Sequence, residues 1–381
     1  MARQKAERLP QQAADARERN LPDLPFLLLT ILLTAIGVVM MYSASYPRAF
    51  VEENGNGMYF FIRQLIFAVV GVGAMIVVSY LNYQYWRRMS VWVLAGAVLL
   101  LVIVLFMKPV NGARRWIPIF GVTVQPSEIA KLGVVLTFSA MLAYKRERLR
   151  SFRTGLLPFI LIVIVVVGLL ALEPHLSAII IIGLTAFILM YLGEVPGKWL
   201  LLLAGAALVF VAVYLALRGY ANDRITAWLD PYADPQNKGY QILQSLYAIG
   251  SGGLFGLGFG KSRQKYLYLP EEHNDYVFAI VCEELGFVGA ALIVLLFALL
   301  VIRGYWIAMH APDRFGKLVA AGLTTLLALQ VLLNIGVVTN VLPATGISLP
   351  FFSYGGTALM LQLAEMGIML NISKNGVNNL L

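Results

Sequence analysis

Ten times along this 381-residue chain an apolar run recurs that approaches the ~20 residues a helix needs to cross a bilayer. No soluble core can absorb so many such runs, and their continuity excludes a transmembrane β-barrel, whose strands alternate every second residue. The composition agrees. Charged residues make up only 13% of the chain, against about a quarter in soluble domains. The expectation is an all-α polytopic membrane protein with about ten transmembrane helices, at 26–46, 59–79, 91–107, 126–144, 156–172, 175–192, 199–217, 276–302, 317–341 and 353–372. Between the fifth and sixth only Glu173-Pro174-His175 intervenes. Proline disfavours helix at the residue before it, which supports a break there, with one long kinked or re-entrant element as the alternative.

The residues outside the spans set the orientation. Lys and Arg outnumber Asp and Glu by 29 to 20, a formal charge of +9. In a membrane protein such an excess marks cytoplasmic loops rather than nucleic-acid binding. Arg87, Arg88, Lys145, Arg146, Arg148, Arg150, Arg153, Lys198, Arg303, Arg314, Lys317 and Lys374 fall on one side, and both termini are expected in the cytoplasm. Residues 1–25 are too polar for a secretory signal peptide and read as a disordered basic tail. Residues 26–373 form a single transmembrane domain, and 374–381 a second cytoplasmic tail. Cys282 is the only cysteine, so no intramolecular disulfide is possible.

This orientation places a large loop, 218–275, between the seventh and eighth helices on the extracytoplasmic side. The loop is basic (Arg218, Arg224, Lys238, Lys261, Arg263, Lys265), which suggests an anionic ligand. Residues 221–235 are turn-rich, whereas Tyr240 to Ile249 have the pattern of a short amphipathic helix at the interface. Glycines at 250, 252, 253, 256, 258 and 260 suit either a flexible loop or a backbone cradle for pyrophosphate beside Lys261, Arg263 and Lys265. Gly260-Lys261-Ser262 lacks the glycine five residues earlier that a nucleotide-binding P-loop needs, since Phe255 stands there. An ATPase is excluded.

Ionisable groups inside spans face a cavity or a partner, because lipid penalises them. Glu128 and Lys131, three apart on one helix face, are either a packing ion couple or one wall of a polar cavity. Arg114 and Arg115 precede them on the same side. Glu365 stands alone in the last helix, either bonded between helices or facing the cavity. Glu283 and Glu284 point in different directions, so at most one is expected to reach it. Neither His175 nor His310 has metal-ligand spacing, and no metal-ligating residue is assigned. Asp275 lies where a polar loop meets an apolar helix. It reads as an ordinary helix cap or as a desolvated, more basic carboxylate, and spacing leaves both open.

Several pieces in order resemble the SEDS family of membrane proteins (RodA, FtsW and SpoVE). They are Gly37 to Ser45, Gly112-Ala113-Arg114-Arg115-Trp116, Gln125 to Leu132, Lys238-Gly239-Tyr240-Gln241 with Gln244-Ser245, Tyr268 to Phe278, and Leu349 to Gly356. Asn274, Tyr276 and the Thr357-Ala358 pair depart from the commonest family residues. The Pro270-Glu271-Glu272-His273-Asn274-Asp275 loop looks closer to the division and sporulation branch. The resemblance implies a peptidoglycan glycosyltransferase of the bacterial cytoplasmic membrane that polymerises lipid II on its outer face. A class B penicillin-binding protein transpeptidase is the implied partner. Asp275 matches the family's essential aspartate and takes the role of general base. Arg115 and Lys131, helped by Arg114, are assigned to the pyrophosphate, with Glu128 orienting Lys131. Lys238 or Lys265 is assigned to the anionic head group, and His273 to substrate binding. A divalent cation, magnesium or manganese, can share the leaving-group charge, although no ligand set in the sequence requires one. A lipid II flippase and a non-catalytic scaffold for a transpeptidase are the alternatives.

Overall fold

The computed structural model describes residues 21–108, 114–119, 122–144, 149, 151–217 and 219–376. Helices stand at all ten expected positions. They are α1 (Leu24–Glu52), α2 (Tyr59–Tyr80), α3 (Tyr83–Val104), α4 (Pro126–Tyr144), α5 (Leu157–Leu172), α6 (Leu176–Leu192) and α7 (Gly197–Leu217), followed later in the chain by α10 (Val277–Met309), α11 (Arg314–Val338) and α12 (Gly356–Lys374). Among the described residues seven helices are long and apolar enough to cross a membrane; α6 and the apolar part of α7 are shorter. Glu173-Pro174-His175 does separate two helices, α5 and α6.

Burial sorts these helices into layers. Windows of α4 and α11 are 72% buried, against 22–28% for α2, α3, α5 and α10. The two buried helices form the centre and pack on each other, while α12 runs along α2 and α3 packs on α4. Apolar residues all round a helix are what a lipid-facing or fully buried span requires.

The loop between α7 and α10 departs from expectation at its start. Residues Gly219–Leu229 form helix α8, where turns were expected, and the turns begin only at Pro231. The amphipathic segment is helix α9 (Tyr240–Gly252), which buries Ile242, Leu243, Ser245 and Ala248. A short antiparallel hairpin, β1 (Ile117–Ile119) and β2 (Val122–Val124), was not anticipated. Its register pairs Ile117 with Val124, so Arg115 is carried to the first turn of α4.

At one end of the bundle Asp23 caps α1, accepting from the Phe26 amide at 2.9 Å, and receives the Arg303 guanidinium at 2.9 and 3.0 Å. Asp23 is buried and α1 begins at Leu24, so the ordered domain starts earlier than the expected boundary at residue 26. The first 20 and last five residues lie outside the described residues. At the opposite end, α10 is broken. Gly286 has φ +68°, and the carbonyls and amides freed by the break pair with the glycine loop. Leu257 and Gly258 donate to the Glu283 and Glu284 carbonyls at 2.9 and 3.0 Å, and Phe287 and Val288 donate to Gly253 and Leu254 at 2.9 and 3.1 Å.

The glycines are therefore used for close backbone approach, and the amides at 257 and 258 are spent on the helix instead of cradling a phosphate. At Gly256 (φ +77°) a Cβ would overlap the Glu284 carbonyl. Gly256→Ala combines that clash with a backbone conformation costing about 1–3 kcal/mol for other residues. It is expected to lower the melting temperature of the detergent-solubilised protein by several degrees, read by intrinsic fluorescence.

Candidate active site

Asp275 ends the loop before α10, and three successive carbonyls there are clamped from distant elements. The His273 carbonyl accepts from the Tyr354 amide at 2.8 Å, the Asn274 carbonyl from the Ser353 hydroxyl at 2.7 Å, and the Asp275 carbonyl from Asn334 Nδ2 at 2.7 Å. Asn334, fully buried in α11, also donates to the Ile347 carbonyl at 2.6 Å. A backbone held at three consecutive points fixes where the Asp275 side chain starts. Its Oδ2 lies against Gly346, 3.1 Å from where a side chain there would begin.

The half-buried carboxyl faces charges of both signs. Burial and the neighbouring Glu271 push its pKa up, Arg224, Arg115 and His273 pull it down, and the balance raises it to about 6. Among the described residues Asp275 makes no capping bond to the first turn of α10, whose N-cap is Tyr276 without a side-chain cap. Of the two readings the sequence left open, the geometry favours the desolvated carboxylate.

Arg115 connects Asp275 to the second half of the site. Its guanidinium donates to the backbone carbonyls of Glu173, at 3.4 Å, and of Pro174, at the break between α5 and α6. Burial raises the Glu173 pKa to about 8 against the pull of Arg115. His175 is held neutral, at about 3, by burial and by the positive charges of Arg115 and Lys131. Gln125 Nε2 is 3.4 Å from His175 Nε2. Deeper still, Lys131 Nζ is 2.6 Å from Glu128 Oε2, with the two side chains 4% and 13% exposed. Glu365 of α12 is buried within electrostatic reach of that pair. A line of polar and charged groups thus runs from Asp275 past Arg115 and the 173–175 break to Lys131.

Other expected residues sit elsewhere. Arg114 is exposed and donates to the Leu105 carbonyl at 2.8 Å. Lys238 is exposed in the turn before α9. His273 is buried, stacked on Phe60 with ring centroids 5.1 Å apart, and packs the loop. Lys265 is the clearest change from expectation. It is 4% exposed, with Nζ 2.9 Å from Glu284 Oε1 and 3.0 Å from the Ser43 hydroxyl, so its charge is neutralised inside the protein. Glu283 and Glu284 are both buried and both hold the loop, accepting from Arg263 N at 3.0 Å and Ser262 N at 3.3 Å. Both carboxylates are thus committed to the loop.

Sequence reasoning missed Asn334 and the Arg48–Glu272 pair, which is bidentate at 2.8 Å on each oxygen and ties α1 to the loop that carries Asp275. An amide isolated in an apolar span was the available signal for Asn334.

Glu173 offers a test of the site's electrostatics. A carboxyl whose pKa rises from 4.5 to about 8 on folding favours the fold fully below pH 4.5, and that contribution is lost as pH rises to 8. Melting temperatures measured between pH 5 and pH 8 should therefore fall further for wild type than for Glu173→Gln, and run parallel above pH 8.

Fold and site together define a multi-pass helical membrane protein with a titratable carboxylate and a line of polar groups that includes Arg115 and Lys131. The sequence matches the family described as "Cell cycle protein" (FtsW, RodA, SpoVE) over residues 23–378, and the chain belongs to that family. It is 41% identical to stage V sporulation protein E of Bacillus subtilis over 361 residues, covering 94% of this chain and 98% of the relative. It is 39% identical to the probable peptidoglycan glycosyltransferase FtsW of Geobacter metallireducens, covering 92% and 94%. Among solved structures, one is described as "Structural coordination of polymerization and crosslinking by a peptidoglycan synthase complex". It superposes with a TM-score of 0.77 at 30% identity, covering 92% of this chain and 97% of that one. The rod shape determining protein RodA of Thermus thermophilus superposes with a TM-score of 0.69 at 26% identity, covering 94% and 98%. These relatives place the chain in the FtsW and SpoVE branch.

Proposed function

We propose that this chain is a peptidoglycan glycosyltransferase that polymerises lipid II at the outer face of the bacterial cytoplasmic membrane, both termini being cytoplasmic. The observation that carries the reading is Asp275: a clamped, half-buried carboxyl with its pKa raised to about 6, within electrostatic reach of Arg115 and Arg224. A base poised near the working pH is what deprotonation of a sugar hydroxyl needs. Asp275 takes the proton of the acceptor 4-hydroxyl as that oxygen attacks the donor's anomeric carbon. The bond from that carbon to the pyrophosphate oxygen breaks, and undecaprenyl pyrophosphate leaves with the electron pair. One displacement inverts the anomeric centre, and because the pyrophosphate leaves as a stable anion the second, general-acid carboxylate of a glycosidase is not needed.

In this reading Arg115 and Lys131 take the leaving pyrophosphate and Glu128 orients Lys131, a reading supported by the 2.6 Å Glu128–Lys131 pair. Arg114 and Lys238 remain candidates for outer contacts with the head group. Any magnesium or manganese ion enters with the pyrophosphate as part of the substrate. A class B penicillin-binding protein transpeptidase is the proposed partner, a reading supported by the likeness to a chain from a complex coordinating polymerisation with crosslinking.

Purified protein supplied with lipid II in detergent tests the function. Glycan strands are the expected product. Lipid II that stays intact in detergent yet crosses vesicle bilayers in the protein's presence contradicts the proposal and identifies a transporter.

A further inference from the structure

The glycine loop holds a second polar feature that the proposed reaction does not use. Because residues 253 and 254 pair with 287 and 288, ten residues into α10, the loop tip is pinned at the depth of a spanning helix. Exposed Leu254 (63%) and Phe255 (81%) thus lie beside exposed Phe287 and Val288 and continue the lipid-facing surface of α10. Irregular backbone at such depth requires its polar groups to be satisfied, and α10 pairs with four of them: the carbonyls of Gly253 and Leu254 and the amides of Leu257 and Gly258. From that tip the chain climbs into a cleft of about 690 Å³ lined by Lys261, Arg263, Gln264, Tyr266 and Tyr268.

Charge and chemistry there point one way. Residues 253–270 carry Lys261, Arg263 and Lys265 and no carboxylate. Lys265 is neutralised by Glu284, whereas Lys261 and Arg263 are exposed and neither has an ion pair among the described residues. Tyrosines and cations just above an apolar, lipid-continuous tip are the arrangement of the membrane interface, where aromatic rings sit among head groups and basic side chains meet lipid phosphates.

We propose that this cleft binds the phosphate head group of an anionic glycerophospholipid, with Leu254 and Phe255 inserted among its acyl chains. Lys261 and Arg263 pair with the phosphate, and Tyr266 and Tyr268 flank it. The cleft includes none of Asp275, Arg115 and Lys131 in its lining and stands whether or not the glycosyltransferase reading does.

The test uses the full chain in phosphatidylcholine mixed micelles titrated with fluorescent phosphatidylglycerol. Saturable binding is expected, weakened about thirtyfold in K261Q/R263Q, since each surface cation is worth about five- to sixfold. The charge-preserving K261R/R263K should bind as wild type, which separates loss of charge from loss of fold. Equal binding by K261Q/R263Q and wild type overturns the proposal. So does equal competition by inorganic phosphate, which would make this a free-anion site, or displacement by lipid II but not by unlabelled phosphatidylglycerol, which would make it a substrate subsite.

Discussion

Asp275→Asn is expected to reduce lipid II polymerisation by about 10²–10⁴-fold, the usual contribution of a positioned general base. The substitution is nearly isosteric. The clamps on the loop act on the backbone carbonyls of His273, Asn274 and Asp275, none of which the change touches. Removing a carboxyl that burial has pushed up to about 6 also removes no favourable ion pair the fold relies on. Membrane abundance and melting temperature should therefore match wild type while the glycan product disappears. Because Arg115 and Lys131 would remain in place, the variant should still bind lipid II. A loss of binding alone would place Asp275 in recognition instead of proton transfer.

The second large effect is structural. Lys265 and Glu284 form an ion pair at 2.9 Å with the two side chains 4% and 0% exposed. Removing one partner leaves an uncompensated buried charge, which costs about 3–5 kcal/mol. Lys265→Met is accordingly expected to yield little folded protein. Adding Glu284→Gln in the same chain should restore much of the loss. The amide carries no charge, and its oxygen can still accept from the Ser43 hydroxyl, which lies at 2.7 Å in wild type. Recovery of fold and of polymerisation together in the double variant would show that Lys265 serves the loop and not the substrate.

These two residues also show how far the sequence could be read. Spans were legible because each apolar run is local, and the α5–α6 break was legible because Pro174 marks it. Asp275 was legible through the family motif, and Glu128 with Lys131 through their helical spacing. Lys265 was not, because its partners are 19 and 222 residues away and only folding brings them together. The glycine loop misled for a related reason: glycine permits both an anion cradle and tight backbone packing, and the choice depends on the distant break at Gly286. The clamps on Asp275 are likewise long-range, from Asn334 and Ser353, 59 and 79 residues away. Helix α8 was hidden because its first half carries Gly219, Asn222 and Asp223, residue types that equally form turns.

The central claim is that an unprotonated Asp275 drives polymerisation, and the pH dependence of kcat/KM tests it most directly. Wild type and Asp275→Asn are compared on the same lipid II preparation between pH 4.5 and 8.5. The predicted wild-type profile is level above pH 7 and falls about tenfold per pH unit below an inflection near 6. The residual rate of Asp275→Asn should lack that limb. A wild-type rate independent of pH across this range, or the same acid limb in Asp275→Asn, would contradict the assignment.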